Sequence, residues 1–141
     1  MKQRVLILCT GNSCRSQMAE GVLRHYGGEK FEVFSAGTKP SIVNATAIEV
    51  MKEIGIDISA HRSKSVREFA GQPFDVIVTV CDNAKESCPV FPGNALRLHW
   101  SFPDPPHGQE ITEEVRNAFR KVRDMIHVRF KRAAAAGIFE N

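Results

Sequence analysis

A chain of 141 residues can bury a core of its own without cross-links, and 43% hydrophobic with 25% charged residues is the ordinary balance of a globular domain. A formal net charge of +3, with Lys and Arg interspersed among Asp and Glu, excludes the dense basic face that nucleic acid demands. The apolar run after Lys2 and Arg4 is too short for a signal peptide or a membrane span. One cytoplasmic, monomeric domain without membrane association is therefore expected, and its four cysteines point to catalytic, redox or metal chemistry rather than a disulfide framework.

Val5 to Leu8 has the length and β-branched content of a buried strand and ends in the polar, Gly-containing stretch Thr10 to Ser13. From Arg15, Met18, Ala19, Val22 and Leu23 recur at helical spacing until Gly27 and Gly28 stop the pattern. Phe31 to Ser35 alternates as a second strand. Asn44 is placed to cap a helix carrying Ala47, Ile48, Met51 and Ile54, with Gly55 past its end. Val66 to Ala70 reads as one or two turns and Phe74 to Val80 as a central strand that delivers Cys81. Ala95 to Trp100 is a fourth strand, Pro103 to Gly108 a proline-rich loop, and Thr112 starts an amphipathic helix running to about Ala136.

Strands alternating with helices predict an α/β fold: a single three-layer domain with a four-stranded parallel sheet and helices on both faces. Ligands in such folds bind beyond the strand C-termini, where Cys9, Cys81 and Asp104 all fall.

The segment Cys9-Thr10-Gly11-Asn12-Ser13-Cys14-Arg15-Ser16 puts a thiol at a strand end and an arginine at a helix start. Successive loop N–H groups, the helix N-terminus and the planar fork of Arg15 suit a tetrahedral oxyanion. The same fields are expected to hold Cys9 as a nucleophilic thiolate. The oxyanion-binding set is thus Thr10, Gly11, Asn12, Ser13, Cys14, Arg15 and Ser16, with the Cys14 thiol itself assigned to packing. A structural zinc site is disfavoured, because Cys81 and Cys88 are spaced outside the common ligand pairs and the five histidines show no ligand spacing. No metal and no bound cofactor are expected.

This loop, together with Gln17-Met18-Ala19-Glu20, Ser35-Ala36-Gly37, Cys81, Cys88 and Asp104-Pro105, resembles the low-molecular-weight tyrosine phosphatase fold family, and within it the thioredoxin-coupled arsenate reductases. The resemblance spans nearly the whole chain. It implies that Asp104 is a general acid, protonating the oxygen that leaves when Cys9 attacks. It also implies a relay: Cys9 forms an adduct with arsenate, Cys81 attacks Cys9 and expels arsenite, and Cys88 attacks Cys81. Thioredoxin, as external reductant, then reopens the Cys81–Cys88 disulfide. A phosphatase needs only the first thiol, so Cys81 and Cys88 have work only in a reductase. A phosphatase would also want an aromatic wall after Asp104-Pro105, where Pro106-His107-Gly108 stands.

If residues 81 to 88 were helical, the two Cα atoms would lie about 10 Å apart, beyond the roughly 7 Å limit of a disulfide, so the segment has to loop out or unwind. Some members of the family bind potassium near the loop with an asparagine, a glutamate, a serine and an acid. Asn12, Glu20 and Ser35 match three of these, while Lys64 stands in the acid's place. The expectation is that Lys64, or Arg62, supplies the positive charge itself and that potassium has no effect.

Overall fold

The computed structural model describes residues 2–81, 91, 93–106 and 110–137. Cys88, the expected looping of residues 82 to 88, and His107 and Gly108 lie outside the described residues.

Four parallel strands form one sheet in the order β2-β1-β3-β4, with β1 at Gln3–Cys9, β2 at Phe31–Gly37, β3 at Val76–Thr79 and β4 at Leu96–His99. β1 pairs on both sides and is covered on both faces, which is why Val5, Leu6, Ile7 and Leu8 are all 0% exposed and the run is continuously apolar rather than alternating. β3 is shorter than its apolar run, because Phe74 leaves the ladder to join an aromatic cluster.

Helices α1 (Arg15–Gly27), α2 (Ala45–Glu53) and α3 (Glu113–Ala136) pack together. Phe31 and Ala134 close on Gly27, where a Cβ would meet the Phe31 ring at 2.9 Å. Arg123 of α3 donates to the Val50 carbonyl and pairs with Glu53 at 2.8 Å, tying α3 to the C-terminal turn of α2. On β2, Phe34 points to the face opposite Phe31 and Val33. There it meets Phe69 of the 3-10 turn Val66–Phe69 and Phe74, with ring centroids 5.5 and 5.8 Å away. The sheet is thus covered on both faces, and α3 lies against Trp100 and Phe102 through Phe130.

Two helices start as the sequence predicts. Asn44 Oδ1 accepts from the Thr46 and Ala47 N–H groups, and Thr112 Oγ1 accepts from the Val115 N–H. The α1 start differs. No side chain caps it and no acid stands in its first turn, which leaves the positive end of the helix to the loop in front of it.

Candidate functional site

β1 ends at Cys9, opposite Gly37 of β2, and on its other flank the Val80 N–H donates to the Leu8 carbonyl. Parallel pairing therefore sets Cys81, the next residue of the β3 segment, beside Cys9, although 71 positions separate Thr10 from Cys81 in the chain. The Thr10 hydroxyl lies 3.2 Å from Cys81 Sγ, and the Cys9 S–H is hydrogen-bonded to the Cys81 sulfur.

Loop carbonyls 9 to 13 all find partners on the outside. Cys9, Thr10, Gly11 and Ser13 accept from the N–H groups of Thr38, Lys39, Ser41 and Asn44, and Asn12 accepts from Gln17 Nε2. In a planar trans peptide the following N–H points the opposite way. With no cis bond among the described residues, the N–H groups of residues 10 to 14 are turned inward, which is the anion nest the motif predicts.

The segment from Thr38 to Asn44 is thus a strap laid along the loop. It approaches so closely that a Cβ on Gly37 would sit 2.5 Å from the Thr10 carbonyl oxygen. Asn12 takes the left-handed φ of 46° and is fully buried. Its amide saturates itself, donating to Ser16 Oγ and Ser35 Oγ and accepting from Gln17 Nε2 and the Lys64 N–H.

The cavity so formed has a volume of about 220 Å3 and is lined by loop residues together with Ser41 and Asp104. Arg15 is held over it by the end of the β4 segment: one guanidinium nitrogen donates to the Phe102 carbonyl at 3.2 Å and another meets Asp104 Oδ1 at 3.4 Å. Arg15 Nε is buried without an acceptor among the described residues, the kind of orphaned donor that an oxyanion satisfies. Asp104 keeps half of its side chain in solvent at the same cavity. A larger cavity of about 650 Å3 between Trp100, Phe102 and α3 contains no thiol and no oxyanion donors from the loop.

Of the sequence-predicted residues, Cys9, Thr10, Gly11, Ser13, Cys14, Arg15 and Asp104 share this cavity, Cys81 adjoins it, and Asn12 and Ser16 brace it from behind. The Cys14 thiol is buried against Ser13, and burial pushes it up to about 11, so it stays protonated and packs. One expectation meets an opposing influence: the Cys9 thiol is raised, first by the hydrogen bond to Cys81 and then by burial, with Arg15 and the Thr10 N–H pulling the other way. The sequence argument counted the loop's positive fields and had no way to place the second sulfur. Ser41 was also missed, since the strap is fixed through its backbone and carries no side-chain pattern.

Behind the loop, the carboxylate of the buried Glu20 accepts from Ser35 Oγ and is met by Arg24 at 2.7 Å, His61 at 3.7 Å and Lys64 at 3.9 Å. Lys64 Nζ also donates to the Arg62 carbonyl at 2.7 Å, and burial lowers its pKa against the pull of Glu20. The ammonium alternative for this place therefore matches the contacts. The Arg62 alternative does not, because its guanidinium turns outward into a two-bond pair with Glu68.

The sequence pattern of the low molecular weight phosphotyrosine protein phosphatases matches residues 4–136. The arsenate reductase of Halalkalibacterium halodurans is 46% identical over 136 residues, 96% of this chain and 98% of that protein. That of Bacillus subtilis is 43% identical over 133 residues, 94% of this chain and 96% of that protein. A solved arsenate reductase in the phosphate binding state superposes with a TM-score of 0.74 at 36% identity, covering 96% of this chain and 98% of the other.

Proposed function

We propose, from the premise that the chain belongs to the low molecular weight phosphotyrosine protein phosphatase family, that it is an arsenate reductase running a three-thiol relay. The observation that carries this reading is the Cys81 sulfur set beside the oxyanion loop and its Cys9 thiol by the β1–β3 pairing, 3.2 Å from the Thr10 hydroxyl. Ester hydrolysis has no use for a second sulfur there. Nor does the cavity present an aromatic wall among its described lining residues for a phenyl ring to rest on.

Forming the nucleophile means removing one proton from the Cys9–Cys81 pair, with Arg15 as the fixed positive charge that favours the anion on Cys9. Phosphate shares the tetrahedral shape and charge of arsenate, and a related arsenate reductase is known in a phosphate binding state. With arsenate held by the inward N–H groups and Arg15, Cys9 Sγ bonds to arsenic and an oxygen leaves as water, taking its proton from Asp104.

Cys81, as thiolate, then attacks Cys9 Sγ. The sulfur–arsenic bond breaks with its electron pair going to arsenic, so As(V) becomes As(III), arsenite departs and a Cys9–Cys81 disulfide remains. Cys88 attacks Cys81 and returns Cys9 as thiolate. A dithiol reductant of the thioredoxin class reduces the Cys81–Cys88 disulfide, supplying the two electrons given to arsenic.

The test is arsenite release in a coupled assay with arsenate, thioredoxin, thioredoxin reductase and NADPH. The parent releases arsenite in step with NADPH oxidation, and Cys9→Ser releases none. Turnover by Cys9→Ser would remove the reading.

A further inference from the structure

The walls of the oxyanion cavity come from three parts of the chain. The loop supplies the thiol and most of the lining, Asp104 comes from the segment after β4, and Ser41 alone comes from the strap after β2. Exposure ranks these parts. Cys9 is 3% exposed, whereas Ser41 and Asp104 are both exposed residues. The loop is therefore the floor of the cavity, and Ser41 and Asp104 stand at its mouth.

In-line attack by Cys9 places the leaving oxygen opposite the sulfur, which is toward the mouth. The floor donors take the other oxygens. What the leaving oxygen carries is the whole difference between the two substrate classes of this fold: nothing or a proton in a free oxyanion, a carbon chain or ring in an ester. Asp104 serves either class, since both leaving oxygens need a proton. Among the described lining residues at the mouth, Ser41 is the side chain positioned to tell them apart.

Its backbone is pinned, with the N–H held by the Gly11 carbonyl at 3.1 Å and by Ser63 Oγ at 3.1 Å. Ser63 Oγ in turn donates to the same Gly11 carbonyl at 3.0 Å. The Ser41 hydroxyl makes only a long contact, 3.5 Å, to that carbonyl. Its position is fixed by the backbone, and this hydroxyl bond is long enough to be exchanged for a ligand oxygen.

We propose that Ser41 is a specificity-determining residue: its hydroxyl hydrogen-bonds the outward oxygen of a free tetrahedral oxyanion and offers an ester's organic group no apolar surface. The proposal rests on the reading that this loop binds arsenate. A site that hydrogen-bonds a hydroxyl-bearing group discriminates against an analogue lacking it, because the site's polar group is left unpaired.

The test uses arsenate as substrate, with inorganic phosphate and phenyl phosphate as competing inhibitors. Ser41→Ala weakens inhibition by inorganic phosphate by about three- to tenfold, the worth of one hydrogen bond, and leaves phenyl phosphate within about twofold. Ser41→Thr, which keeps the hydroxyl, restores the parent pattern. Ser41→Tyr tightens phenyl phosphate by about tenfold while weakening inorganic phosphate. Parallel changes of the two inhibitors in Ser41→Ala, or no change in either, overturn the proposal in an enzyme that still reduces arsenate. A parent protein that releases no arsenite at all overturns the arsenate reading and this proposal with it.

Discussion

Cys81 Sγ sits 3.2 Å from the Thr10 hydroxyl and shares a hydrogen bond with the Cys9 sulfur, so the proposed nucleophile and the thiol proposed to attack it are neighbours. This contact and burial raise the Cys9 thiol, against the pull of Arg15.

The first prediction follows from that ordering of causes. The Cys81 bond is the largest influence raising Cys9, and Arg15 opposes it. In Cys81→Ala the Cys9 thiol should therefore titrate below its value in the parent, and in Arg15→Gln above it. Alkylation of the Cys9 peptide against pH, read by mass spectrometry, measures both. A Cys81→Ala midpoint equal to or above that of the parent would contradict the assignment.

A second prediction concerns stability and acid. The His61 side chain is only 11% exposed, its Nδ1 is 3.0 Å from Gln17 Oε1, and its Nε2 faces Arg24 and Glu20. Gln17 Nε2 already donates to Asn12, so its Oε1 accepts and the His61 Nδ1 carries the proton. Burial lowers the His61 pKa, opposed by Glu20 and Asp57 and aided by Arg24 and Lys64. A histidine held below its unfolded value near 6.5 binds fewer protons folded than unfolded. Its contribution to stability is complete above about pH 6.5 and is lost as the pH falls through the folded value. Urea midpoints between pH 7.5 and 5 should fall with acid in the parent and fall less in His61→Gln. Equal slopes would show that His61 titrates as it does in the unfolded chain.

Much of this site could be read from the chain. The apolar run before Cys9, the helical spacing after Arg15 and the caps at Asn44 and Thr112 are local signals, and each element stands where it was expected. What escaped is non-local. The pairing of β1 with β3 decides that Cys81 touches Cys9, and the strap from Thr38 to Asn44 is held by backbone bonds that any sequence of suitable conformation could make. Gly37 hints at it, since a residue with no Cβ is required where the strap meets the loop. The fate of Arg62 also depended on a partner, Glu68, that the helical spacing gave no reason to single out.

The third prediction is ionic. Lys64 brings its ammonium to Glu20 in the cluster that also holds Asn12 and Ser35. Replacing sodium by potassium at constant ionic strength should leave the parent rate within about twofold. Lys64→Asp removes the resident cation and adds a carboxylate beside Glu20, so its activity and thermal midpoint should become potassium-responsive. A several-fold potassium activation of the parent would refute the role given to Lys64.

The central claim is that oxidising equivalents leave Cys9 by way of Cys81 and then Cys88, and Cys88→Ser examines it most directly. The variant keeps the oxyanion loop, Asp104 and the Cys9–Cys81 contact, so one round of chemistry should proceed and then stop. Arsenite is counted per protein after mixing with arsenate, and non-reduced digests prepared with thiols blocked in acid show which cysteines are joined. The account predicts about one arsenite per chain, a Cys9–Cys81 disulfide and no further turnover with thioredoxin. Multiple turnover at the parent rate, with no Cys9–Cys81 disulfide accumulating, would contradict it.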